Sequence, residues 1–261
     1  MFRKFARRAD ILLQSEACLV QPLVVEEPAA NPGAGVYSSV DWSQIRRVRT
    51  EPFRPELDRY GSDDNYRQYL ASVAAAKIAP VEALFGSFDF ERYRRIIELG
   101  CGDMPQAYAV GLRYPGVRYT ATDFDATVIE KCSRIQLLAG IRKMVIDVTR
   151  DDLDELRNHD LVVSWSFEYS LSDAQLSNLF AACKRNSVPY LLCTHTAIGP
   201  LEYLVGAFSS AYLKNRLGEN RLRLLGWLRS VGEIARLAKR AGMRLEWKSR
   251  YLNYVMLLLV P

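Results

Sequence analysis

The residues with most chemical promise lie together. In Ile96-Ile97-Glu98-Leu99-Gly100-Cys101-Gly102-Asp103 an apolar run meets an acid, a hydrophobe and two glycines one residue apart. Glycine at 100 and 102 lets the backbone turn sharply and approach a ligand with no Cβ in the way. Pro105 suits the first turn of a helix. Strand, glycine turn and helix place a ligand at the carboxyl end of the strand. A dinucleotide would want a third glycine, so that its pyrophosphate rests on the helix N-terminus. Pro105 stands there instead, and Glu98 would repel a phosphate. An acid at that place suits a cationic ligand.

Comparable strand ends follow. Arg118–Thr122 runs into Asp123 and Phe124, and Met144-Val145-Ile146 into Asp147 and Val148. Leu161–Val163 runs into Ser164 and Trp165, with Glu168 and Tyr169 just beyond, and Tyr190–Thr194 runs into His195.

The E-L-G-C-G run resembles motif I of the class I S-adenosyl-L-methionine-dependent methyltransferases. The resemblance covers about residues 62–261, and it is specific at motif I and looser afterwards. It implies that Glu98 lies near the methionine amino group, with the backbone of Gly100, Cys101 and Gly102 under the cofactor. It places Asp123 at the ribose hydroxyls, Phe124 beside the adenine, and Asp147 and Val148 at the adenine amino group. Ser164 and Trp165 then border both cofactor and substrate. Each position also has an ordinary structural reading: the glycines as a turn, Asp123 as a helix cap, Glu168 as a solvated loop acid.

Methyl transfer needs a positioned acceptor and a base if the acceptor is a hydroxyl. His195 is the first candidate base, because it lies at the ligand end of the sheet; a hydrogen-bonded structural histidine is the alternative. Glu168 and Tyr169 are the second candidates. His159 precedes the fourth strand, at the far end, and reads as a surface or turn residue. Ser164-Trp165-Ser166-Phe167 departs from the Asn/Asp-Pro-Pro-Tyr/Phe segment of enzymes acting on planar amino groups, so oxygen is the expected acceptor atom.

The elements that must position these residues follow from patterning. Five short apolar runs (95–99, 118–122, 144–148, 161–165, 190–194) alternate with helix-like segments, which means a parallel sheet covered on both faces. Before them, Ser62, Asp63 and Asp64 offer N-caps, and Tyr66, Tyr69, Leu70, Val73 and Ala74 recur at helical spacing. After them, Ser230 and Glu233 have capping-box spacing. Met243–Trp247 and Tyr254–Val260 then read as an antiparallel hairpin. The expected fold is α/β: a doubly wound, mostly parallel seven-stranded sheet ending in that hairpin. Residues 1–61, with five of eleven prolines, read as an N-terminal arm before a Rossmann-like domain over 62–261. Residues 199–229 read as a helical insert covering the acceptor site.

The 261 residues carry 35 Lys and Arg against 30 Asp and Glu. That excess is too small to demand a nucleic-acid partner. It is local, with eight basic and two acidic residues from Lys214 to Arg240. A solvated helical face explains it; an anionic acceptor or an anionic membrane surface is the functional alternative. Five cysteines without C-x-x-C spacing point away from metal clusters and disulfides and toward a reducing, cytoplasmic compartment. No apolar run approaches a membrane span, and no metal is expected. The expected activity is methylation of a small-molecule or glycan-type acceptor, at oxygen. RNA methylation and a non-catalytic interaction protein on the same fold are the alternatives.

Overall fold

The computed structural model describes residues 59–194 except 73, and 229–261 except 252 and 253. The expected arm before residue 59, the insert after Thr194 and His195 itself lie outside these residues. The compact unit described runs from Tyr60 to Pro261.

Seven strands form one sheet: β1 (Arg95–Leu99), β2 (Arg118–Asp123), β3 (Arg142–Val145), β4 (Leu161–Trp165), β5 (Tyr190–Thr194), β6 (Arg244–Tyr251) and β7 (Tyr254–Val260). Their order is β3-β2-β1-β4-β5-β7-β6. The first five are parallel, and β7 runs antiparallel to both β5 and β6. The helices are α1 (Asp63–Ala71), α2 (Ala75–Leu84), α3 (Pro105–Arg113), α4 (Ala126–Ser133), α5 (Asp173–Arg185) and α6 (Val231–Arg240). The expected mostly parallel doubly wound sheet with its C-terminal hairpin is the observed one.

Strand alternation sorts the residues onto two faces. Ile97, Leu99, Val162, Leu192 and Leu257 join Leu176, Phe180, Ile234 and Ala238 of α5 and α6 in one apolar cluster. By register, Glu98, Tyr119, Trp165 and Cys193 share the opposite face.

Three local expectations need correction. The third strand is Arg142–Val145, earlier than 144–148. Ile146 N–H still bonds to Asp123 C=O at 3.1 Å, but Asp147 N–H turns to the Asp151 carboxylate at 2.7 Å. That side-chain bond replaces the ladder and ends the strand. The first helix stops at Ala71, where Ser72 Oγ–H bonds back to Gln68 C=O. The sixth strand extends to Tyr251 because it is an edge strand. Lys248 and Arg250 hide its second half from a search for apolar runs, yet the alternating charges Arg244, Glu246, Lys248 and Arg250 suit an exposed edge.

Candidate active site

The glycine turn follows β1. Gly100, Gly102 and Met104 all have left-handed backbones, with φ of 69°, 55° and 62°. Gly100 also packs tightly: a Cβ there would meet the Phe167 ring at 2.3 Å. The turn is tied to β2 by two bonds. Cys101 N–H donates to Thr122 C=O at 2.8 Å, and Gly102 N–H donates to the Asp123 carboxylate at 2.9 Å. The other Asp123 oxygen accepts Asp125 N–H at 3.1 Å. These two bonds orient Asp123. The side chain of Asp125, rather than Asp123, caps α4.

Glu98 sits at the end of β1, only 1% exposed. Tyr119 O–H donates to its carboxylate at 3.0 Å. Burial pushes its pKa from 4.5 up to about 8; the Tyr119 bond opposes the shift and the charge on Asp123 adds to it. Removing the aqueous shell disfavours the carboxylate, so a cationic ligand would be the natural partner for its charged form. Trp165, on the same face, comes close enough to lower the Tyr119 phenol, whose own pKa burial raises well above its ordinary value. Glu98, Asp123, Gly100, Cys101 and Gly102 therefore cluster at the carboxyl ends of β1 and β2. Those ends form the ligand side of an open α/β sheet.

The remaining candidates are placed differently. Phe124 is exposed beside this cluster. The Asp147 carboxylate accepts Thr149 N–H and O–H at 2.9 and 2.6 Å and lies 3.5 Å from Arg150, so it faces its own loop. Val148 is half-buried in that loop, against the α5 cluster. Ser164 lies on the opposite face from Trp165, and its hydroxyl pairs with Tyr190 O–H at 2.7 Å. The Tyr169 side chain lies outside the described residues, as does His195.

Glu168 is no solvated loop acid. It is buried, and its carboxylate accepts the Thr194 hydroxyl at the end of β5. His159 is no surface residue either. Its ring is held between Glu155 C=O and Thr120 Oγ, each 3.1 Å away, and burial lowers its pKa. Arg229 departs furthest from expectation. It is 4% exposed and donates to Glu168 C=O at 3.0 Å, Leu171 C=O at 2.7 Å and the Asp173 carboxylate at 2.8 Å. It is an internal brace, not part of a solvated basic face.

Sequence reasoning missed one group. Tyr60 and Tyr69 donate to the Asp103 carboxylate, the latter at 3.1 Å, and Tyr66 donates to Asp103 C=O at 2.6 Å. The helical spacing of Tyr66 and Tyr69 was legible as core, but their hydroxyls gave no sequence signal of a common target.

Among the described residues, no group of three or more His, Cys, Asp or Glu could hold a metal. No described helix is long and apolar enough to cross a membrane.

The structure resembles human N-acetylserotonin methyltransferase in complex with SAM, at 19% identity and a TM-score of 0.57 over 78% of this chain and 59% of that one. It also resembles the mitomycin 7-O-methyltransferase MmcR, at 17% identity and a TM-score of 0.56, covering 84% and 66%. A third likeness is to CalO1, a methyltransferase in calicheamicin biosynthesis in its SAH-bound form, at 19% identity and a TM-score of 0.53, covering 76% and 57%. Identities this low establish the fold, and the chain spans less than two thirds of the length of these structures. A search of curated proteins finds no match. A family model described as an O-methyltransferase domain matches residues 56–244. That match takes in the glycine turn, Asp123, the Glu168 turn and α6, and by it the chain belongs to the O-methyltransferase domain family.

Proposed function

We propose that this chain is an S-adenosyl-L-methionine-dependent methyltransferase acting on a hydroxyl of a small-molecule or glycan-type acceptor. The observation that carries this reading is the acid-flanked glycine turn at the end of β1, bonded to Asp123 at the end of β2. When bound, the cofactor supplies a methyl group on a sulfonium leaving group. The chain's residues do the rest. Glu98 would meet the ammonium, and Asp123 the ribose hydroxyls. Trp165 and Phe124 would flank the ligand. His195 is the proposed base for the acceptor hydroxyl, with Glu168 and Tyr169 next. The protein names attached to the structural relatives and the family description support a small-molecule O-acceptor. Four described cysteines, all buried thiols, suit a cytoplasmic setting.

A second reading has one observation behind it. The Phe167 ring rests on Gly100, which is also where a cofactor would pass, and a permanent obstruction would favour a non-catalytic interaction protein. Calorimetry with S-adenosylhomocysteine separates the two. Wild type should bind, and Asp123→Ala should weaken binding by roughly 1.5–3 kcal/mol for each charge-assisted bond lost. Release of S-adenosylhomocysteine from S-adenosyl-L-methionine in the presence of a panel of phenols and glycosides then tests turnover. No binding by wild type, with binding gained in Phe167→Ala, would favour the non-catalytic reading. Unchanged affinity in both Asp123→Ala and Glu98→Ala would sink the assignment of the site.

A further inference from the structure

Three left-handed residues in five make the turn from Gly100 to Met104 unfavourable on its own. Glycine adopts this conformation freely, but Met104, with φ of 62°, is strained there. Met104 is fully buried and begins α3 with no side-chain cap. Such a conformation persists only where its surroundings over-determine it.

The restraints can be traced one by one. Thr122 and Asp123 hold Cys101 and Gly102 from the β2 side. Met104 N–H closes back on Cys101 C=O at 3.0 Å. Asp103, between the second glycine and Met104, is held from α1 and the residues just before it. Its carboxylate accepts Tyr60 and Tyr69, its carbonyl accepts Tyr66, and Lys77 reaches the Tyr69 oxygen at 3.5 Å. The phenol rings are themselves fixed. Tyr66 packs at 5.7 Å from Tyr69 and edge-on to Tyr108 at 6.4 Å, and Lys131 lies over the Tyr60 ring at 5.6 Å. Tyr66 and Tyr69 are among the largest fully buried side chains. Burial raises the Tyr66 phenol far above its ordinary range, so it remains a donor at every working pH.

We propose that Tyr60, Tyr66 and Tyr69 act as positioning residues, a hydroxyl clamp on Asp103 that holds the glycine turn in its ligand-ready shape and so sets cofactor affinity. This rests on the cofactor reading above. It makes α1, which precedes the sheet, part of the cofactor site. The clamp works through Asp103, and a turn that must be re-formed on binding lowers apparent affinity by the fraction of molecules holding the right shape.

The test uses the full chain and substitutions that remove hydroxyls but keep rings: Tyr66→Phe, Tyr69→Phe and the Tyr60→Phe/Tyr69→Phe pair. Tyr114→Phe is the control, since that hydroxyl reaches Phe85 C=O at 3.5 Å near the far end of α3. Two readouts are needed. Amide hydrogen exchange in the ligand-free protein should speed up at residues 101–104 in the clamp variants and not in the control. Calorimetry should show S-adenosylhomocysteine bound about tenfold more weakly by the pair, as expected when roughly one molecule in ten still holds the ligand-ready turn, at a temperature where circular dichroism shows the variant fully folded. Unchanged exchange at 101–104 overturns the clamp, whatever the ligand does. Faster exchange with unchanged affinity overturns its role in binding. Failure of wild type to bind sinks the cofactor reading and the affinity claim with it, whereas failure confined to the variants' expected loss sinks the clamp alone.

Discussion

Glu98 shows how one residue links stability, pH and the site. Its carboxyl ionises near 4.5 when exposed and near 8 in the folded protein, chiefly because burial penalises the charge. Between those values the unfolded chain has given up a proton that the folded chain keeps. Stability therefore falls as pH rises through this window and levels off above it. Glu98→Gln removes the titration. Its stability relative to wild type should increase from pH 5 to pH 8, by an amount on the order of a few kcal/mol, as read from urea midpoints. A difference that stays constant with pH would show that Glu98 is charged throughout. Much at this scale was legible. Glu98, Gly100, Gly102 and Asp123 stand where strand ends must put them, because a parallel strand fixes which end its last residue occupies. Ser164 was less legible. Register alone decides that Trp165 faces the Glu98 side and Ser164 the α5 side.

At the scale of elements, Arg229 joins parts far apart in sequence. Its guanidinium caps the turn at Glu168–Ser170 through two carbonyls and meets Asp173 in the first turn of α5, while the Glu168 carboxylate holds Thr194 at the end of β5. One turn is thus braced on both sides. Arg229→Met would leave the buried Leu171 carbonyl without its Arg229 donor and take one of two donors from the Glu168 carbonyl, which Leu171 N–H also meets, for a loss of about 1–3 kcal/mol in denaturant unfolding. Asp173→Asn should cost under about 1 kcal/mol, since that carboxylate is 65% exposed and water replaces its partner. Equal losses in the two variants would mean that the ion pair, rather than the carbonyl capping, carries the brace. The sequence placed Arg229 in a basic stretch because charge runs are read without burial. Capping signals served better: Ser230 and Glu233 form the reciprocal box their spacing implied. The second half of β6, Lys248–Tyr251, escaped because its exposed residues leave no apolar alternation to read.

For the whole molecule, the open question is what meets the ligand end of the sheet. A net charge of +5 over 261 residues is modest, and one of the eight cations in the basic stretch is spent inside the fold as Arg229. Arg236, Lys239 and Arg240 remain exposed on α6, with Arg244 and Arg250 on the neighbouring edge strand. Lys214, Arg216, Arg221 and Arg223 lie outside the described residues, so a phosphate backbone and a small acceptor have to be told apart by experiment. Salt separates the two, because each phosphate contact releases counterions while a small neutral acceptor releases none. A protein making 6–10 phosphate contacts loses about 10³–10⁵ in affinity between 50 and 200 mM salt. Methyl transfer to a small hydroxyl acceptor should change in kcat/KM by no more than about twofold over the same range, because short-range contacts in a closed site are little screened. The measurement is kcat/KM at four salt concentrations with the best acceptor from the panel, beside transfer to total RNA. A steep salt slope together with incorporation into RNA would overturn the small-acceptor reading and return the basic residues of α6 to a substrate-binding role.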